Sequence, residues 1–170
     1  MHLCTGLAET MAKIGVISTG KLKTDYYKSA CDDYSKRIKR YVSFESVEIK
    51  EELLSKNPSE KEIENAKKKE GLRLLEEAKK FDAFYCLDMK GKKHTSESFA
   101  EVLEYDFGNG KNSIAFLIGG SNGLSAEIIK SADGVISFSD MTFAHHLFRV
   151  MLYEQLYRAF TIMNNEKYHK

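Results

Sequence analysis

Three stretches of the chain bring together residue types that can do chemistry. In the first, Gly119-Gly120-Ser121-Asn122-Gly123 follows an apolar run and precedes a short helical pattern. Glycines there allow a tight turn and let backbone N–H groups approach a ligand closely, beside a helix N-terminus. The GK[ST] of a phosphate-cradling loop is absent, and the glycines are adjacent where a dinucleotide fingerprint alternates them. A dinucleotide-dependent oxidoreductase keeps one support in Asp140, about 20 residues on, where a ribose-binding acid belongs. A plain connecting turn fits the spacing equally well.

The second stretch runs from His145-His146 through Arg149, Glu154 and Arg158 to Phe160. Adjacent histidines on a helix diverge by about 100°, and no HExxH or carboxylate stands at a helix-face spacing, so no metal is expected. His145 and Arg149 share one face at i,i+4, and Glu154 and Arg158 share another in the favourable acid-first order. A structural ion pair explains Glu154 and Arg158 at least as well as catalysis does. The third stretch is the tail, Lys167-Tyr168-His169-Lys170. It reads either as a loose terminus or as an aromatic and basic group able to stack on a base and touch phosphate.

Something must position these groups. The chain has 170 residues, 42% hydrophobic and 30% charged, in the range of one globular domain that buries roughly two-thirds of its unfolded surface. Three cysteines, Cys4, Cys31 and Cys86, are odd in number and far apart, which points to reduced thiols and a cytoplasmic setting. The longest apolar run, around Ser113 to Ile118, is far short of the ~18 residues of a membrane span. With 26 Lys plus Arg against 25 Asp plus Glu, no global field draws the protein onto nucleic acid. Any RNA or DNA binding must then come from a local patch, or from a target that supplies shape as well as phosphate.

Residues 1 to 10 lack the pattern that opens at Met11 and are expected to be a leader or upstream-start segment outside the fold. From there strands alternate with helices. Strands are expected at Ile14–Ser18, Ser46–Ile49, Ala83–Leu87, Ser113–Ile118 and Val135–Phe138. Helices are expected at Asp25–Tyr41, from Ser59 to about Lys80, Ser96–Tyr105, from Ser125 to about Ala132, and about Phe143–Met163. This order implies an α/β fold with a parallel sheet, whose ligands bind at the carboxyl ends of the strands. Three loops leave such ends: Leu87–Gly91, Gly119–Gly123 and Ser139–Phe143. The last helix is apolar nearly all round and needs cover on two sides, one from its own sheet and one from a second copy of the chain.

Three segments in order, Phe116 to Leu124, Ser137 to His145, and Glu154 to Ala159 with the terminal Tyr168-His169-Lys170, together resemble the RlmH family, from Met11 to the last residue. Its members are SPOUT-class methyltransferases that act on a pseudouridine of large-subunit ribosomal RNA. The resemblance implies a parallel-sheet SPOUT methyltransferase fold with a C-terminal trefoil knot, a homodimer, and S-adenosyl-L-methionine held where the loops meet. By motif match it places cofactor contacts at Leu87, Gly119, Phe138, Ser139, Asp140, Met141, Thr142 and Phe143. Ala144 stands where the family usually has Pro. The chemistry implied is in-line methyl transfer to N3 of the base, without metal or membrane, on rRNA within the ribosome. His145 and Arg158 are then the catalytic candidates, and Tyr168, His169 and Lys170 the RNA contacts. An oxidoreductase, or a dimeric RNA-binding module without catalysis, are the competing readings. Thermal melting separates them by linkage: S-adenosylhomocysteine is expected to raise the melting temperature and NAD to leave it unchanged. Stabilisation by NAD alone would favour the oxidoreductase, and by neither the module.

Overall fold

The computed structural model describes residues 11–168, so residues 1 to 10, with the leader expectation, and His169 and Lys170 lie outside the described residues. Ten elements alternate along the chain. They are β1 (Lys13–Thr19), α1 (Asp25–Ile38), β2 (Ser43–Ile49), α2 (Glu60–Ala78), β3 (Ala83–Lys93), α3 (Ser96–Gly108), β4 (Ser113–Ile118), α4 (Ala126–Ser131), β5 (Gly134–Ser137) and α5 (His145–Met163). The strands form one sheet in the order β2-β1-β4-β3-β5, and every pairing is parallel. This matches the α/β reading, because parallel neighbours require crossovers and the helices supply them.

Period-two alternation sorts the core into two layers. Ile114, Phe116 and Ile118 of β4 face a cluster with α1, α3 and α5, while Ala115 and Leu117 face α2 and α4. Phe116 stacks on Tyr85 at 5.8 Å and meets Phe99 at 5.6 Å. Cys31 lies in the first layer and Cys86 in the second, both as free, buried thiols.

Local chemistry explains most boundaries. The Ser59 side chain accepts from the Glu62 N–H at 3.2 Å and starts α2. The Glu62 carboxylate does not return the bond and instead holds Ser55. A reciprocal capping box occurs at Thr95 and Ser98, opening α3. α1 ends at Ile38, three residues before the expected Tyr41, and packs through Cys31 and Ile38 while Tyr26 is 67% exposed. β2 starts at Ser43, three residues earlier than expected, since Ser43 to Glu45 pair with Lys13 to Gly15.

The main departure concerns β3, where a loop was expected from Leu87 to Gly91. The strand continues to Lys93, and both Leu87 and Lys92 pair with Ile136 of β5. Residues 88–91 therefore form an excursion that leaves the ladder and returns to it. Asp88 accepts from the Lys90 N–H at 2.9 Å, which folds the excursion back on itself. At its base Gly91 is pressed onto β5, where a Cβ would lie 2.6 Å from the Val135 carbonyl carbon.

Phe116 is fully buried and meets aromatic rings of β3 and α3. Phe116→Ala is therefore expected to cost about 3–5 kcal/mol in urea unfolding. A loss below about 1 kcal/mol would show that this layer collapses around the deletion.

Candidate active site

Parallel strands deliver their outgoing loops to one edge, and there a cavity of about 460 Å³ opens. Leu87, Asp88 and Met89 form one wall, Gly119, Gly120, Ser121 and Gly123 a second, and Ser137 to Ser139 and Met141 to Phe143 with His145 and Phe148 the third. Its inner surface is mainly apolar, from Leu87, Ile118, Ile136, Phe138 and Phe148, with backbone and hydroxyl groups at the rim. That combination suits a flat heterocycle whose edges need hydrogen bonds.

The glycine wall is built from backbone. A Cβ at Gly119 would stand 2.7 Å from the carbonyl carbon of Gly123 and 2.8 Å from its oxygen. Gly123 itself has φ +79°, in the left-handed region that glycine adopts without strain. The Gly123 N–H donates to the Gly120 carbonyl at 2.9 Å and closes the turn. Ser125 then caps α4 through the Ile128 N–H.

The third wall is tied to the first. The Thr142 hydroxyl donates to Met89 Sδ at 3.5 Å. Lys93 pairs with Asp140 beyond the rim. Of the residues matched to cofactor contacts, Leu87, Gly119, Phe138, Ser139, Met141, Thr142 and Phe143 line the cavity. Asp140 does not: its side chain is 77% exposed and turned to Lys93. A ribose-binding role for Asp140, which the dinucleotide reading requires, finds no support in that position.

His145 is the first residue of α5, two residues after the expected start near Phe143, and Ala144 provides no side-chain cap. Its ring lines the cavity, and its Nε2 is buried without a hydrogen-bond partner. Burial, and then the charges of Arg149 and His146, hold its pKa below the usual histidine range. The backbone of Thr19 and the carboxylate of Glu51 oppose this more weakly. A neutral imidazole in the wall of a cavity can accept a proton or a hydrogen bond.

Arg158 stands elsewhere. It lies thirteen residues further along α5, about 20 Å at 1.5 Å per residue, and is not among the lining residues. Its guanidinium pairs with Glu154 at 2.6 Å and sits 4.7 Å from the Tyr168 ring centroid. Tyr168 in turn donates to Glu154 at 3.2 Å and packs on Tyr157. One chain thus does not bring His145 and Arg158 together. Beside Glu154 is a second hollow, lined by Tyr34, His94, Phe99, Phe138, Val150 and Met151.

Sequence reasoning missed Arg149, which is 1% exposed. It also missed the excursion that carries Met89. The i,i+4 spacing from His145 signalled that Arg149 shares the histidine's face, but an arginine on a helix ordinarily reads as solvent-facing.

A family described as "Predicted SPOUT methyltransferase" matches residues 12–169. The chain belongs to this SPOUT methyltransferase family. Within it, the chain is 51% identical over 157 residues to ribosomal RNA large subunit methyltransferase H 1 of Clostridium perfringens (strain SM101), covering 92% of this chain and 99% of that protein. It is 46% identical, with the same coverage, to ribosomal RNA large subunit methyltransferase H of Clostridium botulinum (strain Hall). Among solved structures, a probable methyltransferase from Bordetella pertussis Tohama I superposes with TM-score 0.53 at 10% identity, over 88% of this chain and 95% of that one. A probable methylase family protein from Haemophilus influenzae Rd KW20 gives TM-score 0.52 at 14% identity, over 93% of this chain and 70% of that one. These two likenesses bear on the fold alone. No group of three or more His, Cys, Asp or Glu side chains among the described residues is arranged to hold a metal. No helix among them is long and apolar enough to cross a membrane.

The contact between Gly119 and Gly123 gives a direct test of the glycine wall. Gly119→Ala is expected to weaken S-adenosylhomocysteine at least tenfold in titration calorimetry, about 1.4 kcal/mol. Unchanged affinity would remove this loop from the binding surface.

Proposed function

We propose that the protein is an S-adenosyl-L-methionine-dependent methyltransferase acting on large-subunit ribosomal RNA, at N3 of a pseudouridine, on the assembled ribosome. The observation that carries the reading is the meeting of three strand-end segments in one apolar cavity with His145 in its wall. The residues fit such a donor. Leu87, Ile118 and Ile136 can flank an adenine ring, and the tight Gly119–Gly123 turn presents backbone to its edge. When bound, the sulfonium supplies a methyl group already activated for displacement.

The chain's own residues then have two tasks. The target nitrogen must be held in line with the methyl carbon, and its imide proton must leave as the new N–C bond forms. His145, neutral and with a free Nε2, is placed to receive that proton. Arg158 is suited to steady the charge that develops on the base, or a neighbouring phosphate. Tyr168, with His169 and Lys170 beyond it, contacts the RNA.

The separation of His145 from Arg158 supports a homodimer in which each site takes its histidine from one protomer and its arginine from the partner. The uncovered part of α5 supports it too. Leu147 is 39% exposed, and Val150 and Met151 are half-buried beside the second hollow. A trefoil knot in the C-terminal third accords with the family. So does the route of α5, which returns from β5 at the sheet edge to pack on α1 and α3. Near-neutral charge supports a shaped particle over naked RNA as substrate and, with the buried thiols, a cytoplasmic enzyme.

Mixing protomers tests the composite site. His145→Ala and Arg158→Ala homodimers are each expected to be nearly inactive on ribosomes. Subunit exchange at equal amounts should restore about a quarter of wild-type activity, since half the dimers carry one intact site. No recovery would place both residues in one protomer's site or remove one from the reaction.

A further inference from the structure

The largest fully buried side chain is charged. Arg149 is 1% exposed, and its guanidinium reaches three elements at once. From α5, Nη1 donates to Glu48 of β2 at 2.5 Å and Nη2 donates to the Gly20 carbonyl, just past β1, at 2.9 Å. Glu48 also accepts from the Leu22 N–H at 2.9 Å, so the turn after β1 is gripped on both sides. Burying an arginine costs several kcal/mol unless it is paired and hydrogen-bonded, and this one is tied to a turn rather than to the middle of the core.

That turn matters because of its neighbours. Thr19 abuts both the glycine wall and the histidine. Its Cγ2 lies 3.2 Å from where a Cβ on Gly120 would stand, and its backbone acts on the His145 ring. His145 is one helical turn before Arg149, on the same face. Four buried side-chain atoms among the described residues have no hydrogen-bond partner: Ser18 Oγ and Thr19 Oγ1 at the end of β1, and His145 Nε2 and Arg149 Nε in the first turns of α5. Buried polar atoms are ordinarily satisfied, and the ring bearing His145 Nε2 borders the cavity.

We propose that Arg149 is a positioning residue for methyl transfer: by clamping Gly20 and Glu48 onto the first turns of α5, it fixes the His145 ring in the cavity wall. This rests on the reading that His145 serves the target nitrogen. The clamp has an electrostatic side. His145 faces Arg149 and His146 on its own helix, Glu51 from the segment after β2, and the Thr19 backbone from β1; Glu48 faces Arg149. Arg149 disfavours the imidazolium and Glu51 favours it, so the two charges act on the histidine with opposite sign.

Three variants separate the clamp from a merely structural role, read by the NMR titration of the His145 ring, by melting, and by kcat and KM on ribosomes. Arg149→Lys keeps the charge but loses the planar fork. It should leave the His145 pKa near wild type and lower kcat by on the order of 10- to 100-fold, with KM for the cofactor little changed. Arg149→Met should raise the His145 pKa and move the acid limb of the kcat profile to higher pH. Glu51→Gln, at an exposed position, should move both the other way, and it keeps the test alive if Arg149→Met does not fold. Wild-type kcat in Arg149→Lys, or a His145 titration that moves in neither charge variant, overturns the proposal. Because the titration needs no methyl transfer, a wild-type protein inactive on ribosomes would count against the functional reading and not against the clamp.

Discussion

The cavity depends on a break in register. β3 meets β5 twice, with Ile136 opposite both Leu87 and Lys92, and the four residues between have no ladder partner. An unbroken ladder would carry β3 past the sheet edge as a flat strand, and the first wall would not exist. The break is held in place at its base, where Gly91 touches the β5 backbone so closely that no other residue fits. It is held at its tip by Thr142 on Met89 and behind it by Lys93 on Asp140. Parallel pairing then does the rest, since all five strands point their outgoing ends the same way.

Helix α5 answers two demands that pull against each other. Its middle must fill the layer shared with α1 and α3, which Leu152, Leu156 and Phe160 do. Its ends must accommodate polar groups, His145 in the cavity wall and Arg158 away from it. At the amino end this is managed by burying Arg149 against Glu48 and the Gly20 carbonyl. At the carboxyl end Arg158 lies half-buried between Glu154 and Tyr168. The length of the helix sets the distance between these ends, and no side-chain rearrangement can shorten it.

Much of this was legible from residue order. Apolar alternation located all five strands, and the strand–helix rhythm implied parallel pairing and hence one edge where loops converge. The Ser59 and Ser125 starts were readable because a hydroxyl ahead of a helical pattern has a defined partner. The excursion was not readable as such. Lys90, Gly91 and Lys92 look like the end of a strand, and only the second pairing of Ile136 shows that the strand resumes. The turn of the Asp140 side chain toward Lys93 was not readable either, because a motif fixes position along the chain and not the direction of a side chain, and Lys93 is distant in sequence. Arg149 was invisible as a core residue because its partners come from β2 and from the turn after β1.

The two described thiols occupy opposite layers of the molecule. Burial pushes Cys31 up to about 11 and Cys86 up to about 12, so neither is a competent nucleophile at neutral pH while the layers stay shut. Alkylating reagents can reach Cys31 only when the layer beneath α1 and α5 opens, and Cys86 only when the layer beneath α2 and α4 does. Nature has thereby installed two independent labels, one per layer, from which the order of local opening can be timed without altering a residue.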